Sequence, residues 1–396
     1  MMRTSHGRRP ARLSTKMTAA GALAALALAV TGCGGGAGAA KDSAVTIGLA
    51  APYSGSAAYY GEWLDQAWQL AFDEFGHNVN GREIKLAKAD AKCEPSAAVA
   101  ATRSVLAENP LSIITICSGD TRAALPIASA KKVPIVSGSY DPSLTAEGNK
   151  YIFRVQTHDG VTNQVYGKWI LGRAGQNAKI GVISDTTPYG LANNKTITAG
   201  FAAAGVTPAA SATYDSSATD YAGQLLALKR AGVNVAYLEG YDLQAARIVK
   251  QANQLGLDAK FYFPTTASSD TFLQTAGTDL ANKVIYSTPF LPEWSDAAKQ
   301  FSQKWQKRFG TLPNADCASF YTMAVTMLTT LRNNPDAGKS AEAFTTAYRN
   351  IKIPNLPMGD FAFDPNGDPV NPLVIAGTWE NGQRKLVDVL LPAQAK

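Results

Sequence analysis

Short runs of β-branched and aliphatic residues alternate along this chain with longer stretches whose apolar positions recur every three or four residues. The first pattern predicts buried strands and the second amphipathic helices. "VTIGLA", "EIKLAKA", "LSIITIC", "VPIVSG" and "YIFRV" form one set of strands, separated by helical segments such as "GEWLDQAWQLAFDEF" and "SAAVAATRSVLAENP". "KIGVIS", "VNVAYLEG", "KFYFP" and "VIYST" form a second set, with "DLQAARIVKQANQLG" among its helices. Strands without strict alternation, joined through helices, belong to parallel sheets covered on both faces. The expected fold class is therefore α/β, with the strand and helix unit used twice in two doubly wound lobes. After "VIYST" come two further long helices, "EWSDAAKQFSQKWQKRFG" and "CASFYTMAVTMLTTLRNN", and then a tail in which "DPNGD" and "ENGQ" read as turns between strands.

The two halves open alike. "VTIGLAAPYSGSAAYYG" and "KIGVISDTTPYG" each run from a strand through a polar loop to a Tyr-Gly pair and a helix. This places Tyr60 and Tyr189 at equivalent positions, at the carboxyl ends of their sheets, the edge where open α/β sheets bind ligands. The stretch "CSGDTRAALPIASAKKVPIVSGSYDPSLT" adds two turns rich in Ser, Gly and Thr, each after a β-branched run. Ser118, Gly119, Asp120 and Thr121 open a helix, so their N–H groups and hydroxyls suit a carboxylate, helped by the helix dipole. Asp120 is the exception and is expected to serve its own helix, because an acid beside an anion repels it.

Composition changes the picture at the N-terminus. Arg3, Arg8, Arg9, Arg12 and Lys16 precede the apolar run "MTAAGALAALALAV", which reads as an export signal over residues 1–32. Val30, Thr31 and Gly32 before Cys33 match a bacterial lipobox, so Cys33 is the expected lipidation site, and residues 33–43 a flexible tether. The formal charge of +6 falls to +1 once the five positive charges of that leader are removed. No Lys/Arg cluster suggesting a nucleic-acid surface remains, and a body of about 360 residues exceeds what one core usually organises. The expected location is extracytoplasmic, held to the cell membrane by lipid.

With Cys33 lipidated, three cysteines remain in a compartment that permits disulfides. Cys93 follows one strand-like run and Cys117 ends the next, so a strand, helix, strand crossover brings both to one sheet edge, and the expected bridge is Cys93 with Cys117. Cys317 reads as a packed free thiol at a helix start.

Catalytic chemistry finds no constellation here. Outside the leader the histidines are His77 and His158, neither at metal-ligand spacing to a second His or Cys. "CSGD" lacks the glycine pattern of a phosphate loop or a nucleophile elbow. No catalytic residue, metal or cofactor is expected.

In order and spacing, "TIGLAAPYSGSAAYYG", the paired cysteines, "ITICSGDT", "VPIVSGSYDPSLT", "SDTTPYG", "YLEGYD" and "FDPNGD…TWENGQ" resemble the leucine/isoleucine/valine-binding proteins. These are the extracytoplasmic solute-binding components of branched-chain amino-acid ABC transporters, of the type I periplasmic-binding fold. The resemblance implies two lobes joined by three crossovers, near Val155 to Asp159, Ser287 to Phe290 and Val370 to Leu373. Residues 44–157 with 289–371 would form the first lobe, and 158–288 with 372–396 the second. It implies a monomer that closes on a small solute and presents it to a membrane permease, with no nucleic-acid partner. Ser118 matches the position that binds the ligand carboxylate, and Gly138, Ser139 and Tyr140 fall in the segment that meets the amino-acid head group. Tyr140 stands where the family has Thr. Tyr60, Tyr189 and Tyr241 match aromatic positions lining the cleft. Thr265 falls where the family pairs the ligand ammonium with Glu, so either Asp120, Glu239 or Asp242 replaces that acid, or the ligand is an ammonium-free acid or amide. A sensor presenting ligand state to a membrane receptor is the remaining alternative.

Overall fold

The computed structural model describes residues 44–390; the leader, Cys33 and the last six residues lie outside them. The first sheet is built from β1 (Val45–Ala51), β2 (Asn78–Val79), β3 (Arg82–Asp90), β4 (Ser112–Thr115), β5 (Ile135–Ser137) and β6 (Ile152–Arg154), in the order β2-β3-β1-β4-β5-β6. All neighbours are parallel except the short β2 against β3. The second sheet takes β7 (Ile180–Asp185), β8 (Ala210–Tyr214), β9 (Val235–Leu238), β10 (Lys260–Phe263) and β11 (Val284–Thr288). A separate hairpin of β12 (Lys352–Leu356) and β13 (Gly359–Ala362) follows, and then β14 (Ile375–Glu380) and β15 (Gln383–Val389). The last two strands join the second sheet antiparallel, giving β15-β14-β11-β10-β9-β7-β8.

Both sheets share the doubly wound order in which the first strand lies between the second and third of its unit: β3-β1-β4 in one and β8-β7-β9 in the other. Connections leave in opposite directions at the β1/β4 and β7/β9 junctions, and the crevice outside the carboxyl ends opens there. Register aligns those ends, since Ala50 pairs with Thr115, Thr115 with Ser137 and Ser137 with Arg154. The loops after β1, β4, β5 and β6 therefore emerge at one edge.

The strand runs read from the sequence fall on β1, β3 to β7 and β9 to β11. The turn at "ENGQ" is also present, with Asn381 at φ 52° and Gly382 at φ 80°, the two left-handed residues that a tight hairpin between twisted strands needs. β8 carries no strand signal in the sequence, because "ASATY" is an edge strand, partly exposed and rich in Ala and Ser, with no apolar run to mark it. The hairpin of β12 and β13 lacks a strand signal for a related reason: Pro354 and Asn355 interrupt it, and Asn355 has a positive φ of 56°.

After β6 the chain passes to the second sheet, after β11 it returns, and after β13 it passes over again. The helices Asp296–Phe309 and Ala315–Asn333 contribute Phe301, Trp305, Phe320 and Met323 to the same core as β1 and β4. They belong with the first lobe although they follow the second sheet in sequence. The first and third crossings are tied together, because the Thr157 hydroxyl donates to the Leu373 carbonyl at 3.1 Å and accepts from the Leu373 N–H at 2.9 Å. Among the described residues no helix is long and apolar enough to cross a membrane.

Cys93 and Cys117 are bonded, with Cα atoms 5.4 Å apart, and Cys317 is free and buried. The bridge joins residues 24 positions apart, and cross-links of this span restrict the unfolded chain by roughly 3 kcal/mol. Replacing both cysteines by Ala should lower the unfolding free energy by about that amount in a denaturant titration without changing the far-ultraviolet spectrum; an unchanged midpoint would remove the bridge from the stability of the fold.

Asp120 lies beside this bridge, fully buried in the first turn of the helix Ser118–Ala130. Burial, reinforced by the carboxylates of Glu94 and Asp90, pushes its acid from 3.8 up to about 8. The folded protein thus keeps a proton that the unfolded chain releases near pH 4. The stability linked to this group is complete below that pH and is lost as pH rises through about 8. Asp120→Asn should therefore flatten the fall in stability between pH 5 and 8.5, measured by urea unfolding at both, and parallel curves for variant and parent would contradict this.

Candidate functional site

The two carboxyl edges border a small pocket with walls from both lobes. From the first lobe come Tyr60, Ile116, Cys117, Ser118, Gly138, Ser139, Tyr140 and Asp316; from the second come Tyr189, Tyr241, Thr265 and Thr266.

The first wall is made by loops that leave β4 and β5. Ser118 begins a thirteen-residue helix whose N-cap is Cys117, and no side chain caps it. Its leading N–H groups are the positive end of the helix dipole, set at the pocket. The Ser118 hydroxyl lies 2.7 Å from that of Ser139, which also accepts the Asp141 N–H at 3.1 Å. This second loop is fixed from beneath: Arg154 donates through Nη1 to the carbonyls of Ser139 at 3.1 Å and Asp141 at 2.9 Å. Gly119 and Thr121, expected in the site from sequence, do not line the pocket. Gly119 packs near Pro95 and Pro188, and a Cβ there would stand 3.1 Å from the Pro95 ring. Thr121 points into the lobe, with its hydroxyl on Thr115, Ser137 and the Cys117 carbonyl.

The Tyr-Gly pairs have a shared structural reason. A Cβ on Gly61 would stand 2.3 Å from the Pro52 carbonyl oxygen, and one on Gly190 would stand 2.1 Å from a carboxylate oxygen of Asp185. Only glycine lets each helix start so close to the strand end that precedes it, and that approach aims the neighbouring tyrosine at the cleft. Tyr189 packs against Tyr241 with ring centroids 5.3 Å apart and planes tilted by 46°, and Tyr241 stands at the N-cap of the helix Asp242–Gln254. On the opposite wall Tyr59 and Tyr60 both donate to Asp242 Oδ2 at 2.9 Å, so these bonds bridge the two lobes.

Thr265 lines the pocket within the turn Thr265–Ser268 and donates to Thr288 Oγ1 at 3.3 Å. Its neighbour Thr266 also lines the pocket, with a buried hydroxyl that has no hydrogen-bond partner. None of the three acids considered as substitutes for the missing Glu lines it. Asp120 sits behind the disulfide, and Asp242 is occupied by the two tyrosines. Glu239 is buried behind the second wall, where its Oε2 accepts the Asp185 N–H at 2.8 Å. Burial, with Asp185 beside it, raises the acid of Glu239 well above its ordinary value.

The carboxylate that does line the pocket is Asp316, a residue not singled out from the sequence. It is the second residue of the helix Ala315–Asn333, whose N-cap Asn314 accepts the Cys317 N–H. Tyr140 Oη donates to Asp316 Oδ1 at 3.3 Å. Burial, then the nearby charge of Asp242, pushes the Asp316 acid up to about 7 against the opposing Tyr140 bond. Its signal in the sequence was an acid at the start of a helix that is apolar nearly all round, and helix starts favour Asp for reasons unconnected with ligands. Cys317, next along, is buried, and its thiol is pushed up by that burial, which leaves it un-ionised.

A family model described as periplasmic binding protein matches residues 44–383. The leucine-, isoleucine-, valine-, threonine- and alanine-binding protein of Pseudomonas aeruginosa is 26% identical over 335 residues, covering 83% of this chain and 87% of that protein. A leucine binding protein from Thermotoga maritima superposes with a TM-score of 0.80 at 24% identity, over 88% of this chain and 99% of the other. A solute binding protein from R. palustris in complex with benzoate gives 0.81 at 17% identity, over 89% and 98%. The superpositions show the type I fold, and the family match extends over nearly all the described residues. The duplicated sheets, the pocket between their carboxyl edges and this match lead to one conclusion: the chain belongs to the periplasmic binding protein family, which includes the leucine/isoleucine/valine-binding proteins.

Proposed function

We propose that this protein is an extracytoplasmic lipoprotein, anchored through Cys33, that delivers a small carboxylate solute to an ABC importer as a monomer. The solute is a branched-chain or other hydrophobic amino acid, and it is held unchanged. The observation that carries this reading is the pocket itself, closed between two lobes and lined by an uncapped helix N-terminus on one side and paired tyrosines on the other. Such a site offers N–H groups and hydroxyls to a carboxylate and aromatic surface to an apolar side chain. Ser118 and Ser139 take the carboxylate end through their hydroxyls, Gly138 meets the polar head group through its carbonyl because its N–H is already given to the Thr115 carbonyl at 2.8 Å, and Tyr60, Tyr189 and Tyr241 cover the ligand.

Delivery needs two states that differ in affinity, because a ligand shifts an equilibrium only by its preference for one of them. Lobes 44–157 with 289–371 and 158–288 with 372–396 would turn about the crossings tied by Thr157 and Leu373. The bonds from Tyr59 and Tyr60 to Asp242 span the lobes, so they form only when the cleft closes. A second reading, an ammonium-free acid, draws on Thr265, where the resemblance would place Glu.

A thermal-shift screen of the soluble chain from Asp42 with Leu, Ile, Val, Phe, benzoate-type acids, aliphatic acids and short amides tests the assignment, since a tight ligand raises Tm by mass action. Stabilisation by hydrophobic amino acids is expected; no response to any of these classes would sink it. In the same assay Ser118→Ala should weaken a carboxylate ligand by roughly tenfold, one hydrogen bond to a charged group, while leaving the ligand-free Tm within a few degrees. Equal affinity for mutant and parent would take Ser118 out of the site. Tyr60→Phe keeps the ring and loses one bond across the lobes, so calorimetry should show affinity reduced several-fold, about 1 kcal/mol, with the ligand-free Tm again little changed.

A further inference from the structure

We infer that Asp316 is the counter-ion for a cationic nitrogen on the ligand, so that this pocket selects amines and amino acids over acids that lack nitrogen. The inference rests on the pocket being the solute site and deepens that reading by naming the residue and the charge it demands. Among the described residues, no Lys, Arg or His lines the pocket, and Asp316 is its one ionisable carboxyl group. Tyr60, Tyr140, Tyr189 and Tyr241 surround the same space, and phenol rings attract a cation placed over their faces. The Thr266 hydroxyl, buried without a partner, also borders it and can accept from an N–H donor.

Asp316 is placed for the task. It is buried, and its side chain is held by one hydrogen bond, from Tyr140. The charged and titratable groups that face it are Tyr140 from the loop after β5, Tyr59 and Tyr60 from the helix Ala58–Phe75, and Asp242 from the helix Asp242–Gln254. None is a cation, so an ionised Asp316 is uncompensated in the empty pocket. A ligand ammonium supplies the missing charge, whereas a ligand carrying only a carboxylate adds a third negative group near Asp316 and Asp242. Ser118 and Asp316 both stand on the first lobe, which therefore grips both charged ends of an amino acid before the second lobe closes.

The test uses the purified full chain and matched ligands in calorimetry: leucine with 4-methylpentanoate, phenylalanine with 3-phenylpropanoate, and 3-methylbutylamine. In each pair the amino acid should bind about 10- to 100-fold more tightly than its nitrogen-free counterpart, the range for one charge-assisted hydrogen bond. Asp316→Asn should abolish that preference, Asp316→Glu should restore part of it, and the ligand-free melting temperature of Asp316→Asn should be no lower than that of the parent. A nitrogen-free acid that binds as tightly as its amino acid overturns the inference, as does a preference that survives in Asp316→Asn. The matched pairs on the parent protein decide the point even if a variant fails to fold. Binding of the amine alone supports the role of Asp316 and overturns the carboxylate site at Ser118; binding of none of the five compounds overturns both readings.

Discussion

A guanidinium that is 1% exposed sits where the pocket loop Gly138–Tyr140 and the crossings meet. Arg154, the last residue of β6, donates through Nε to Asp368 Oδ1 at 2.9 Å, through Nη1 to the carbonyls of Ser139 and Asp141, and through Nη2 to Thr145 Oγ1 at 2.9 Å. Thr145 in turn donates to Asp368 Oδ2 at 2.7 Å. A buried cation is tolerable only when its donors are met, and removing one partner of such a pair typically costs about 3–5 kcal/mol. The Gly138–Tyr140 loop on the pocket, the start of the first crossing and the approach to the third thus share one ion pair. The planar fork of Arg suits this arrangement; the single ammonium of Lys could not hold two carbonyls, a hydroxyl and a carboxylate at fixed angles.

That fixed frame lets the opposite walls do different things. The first lobe presents a helix N-terminus, two hydroxyls and an acid, all braced from below by Arg154 or by neighbouring side chains. The second presents Tyr189 and Tyr241 above a layer of buried acids, Asp185 and Glu239, both raised by burial above their ordinary range. The same device recurs in both lobes: a glycine closes the helix onto the end of its strand, and the residue before it is a tyrosine at the cleft.

The wall of the pocket was only partly legible in advance. Ser118, Gly138, Ser139 and Tyr140 follow directly from strand ends, and a strand end is visible as a β-branched run that stops at small polar residues. Tyr60 and Tyr189 were legible because the motif repeats. Gly119 and Thr121 share the stretch of Ser118 but turn away from the pocket, since successive residues in the first turn of a helix point in directions about 100° apart. Asp316 was invisible for a different reason: it lies some 180 residues beyond Ser139 on a helix whose approach depends on the second crossing.

The sequence alone determined the alternation of buried strands and amphipathic helices, the doubling of the unit, the pairing of Cys93 with Cys117 and the sheet edge at which the pocket opens. These are consequences of local periodicity and of short-range connection rules, which act over one strand, helix, strand unit at a time. Tertiary structure decided which acid borders the pocket, which acids stand behind it, and how Arg154 joins the pocket loop to the crossings. Those facts depend on side chains far apart in the chain meeting in a low-dielectric interior, where the final angles and distances of packed elements settle whether a carboxylate is paired, protonated or left facing a ligand.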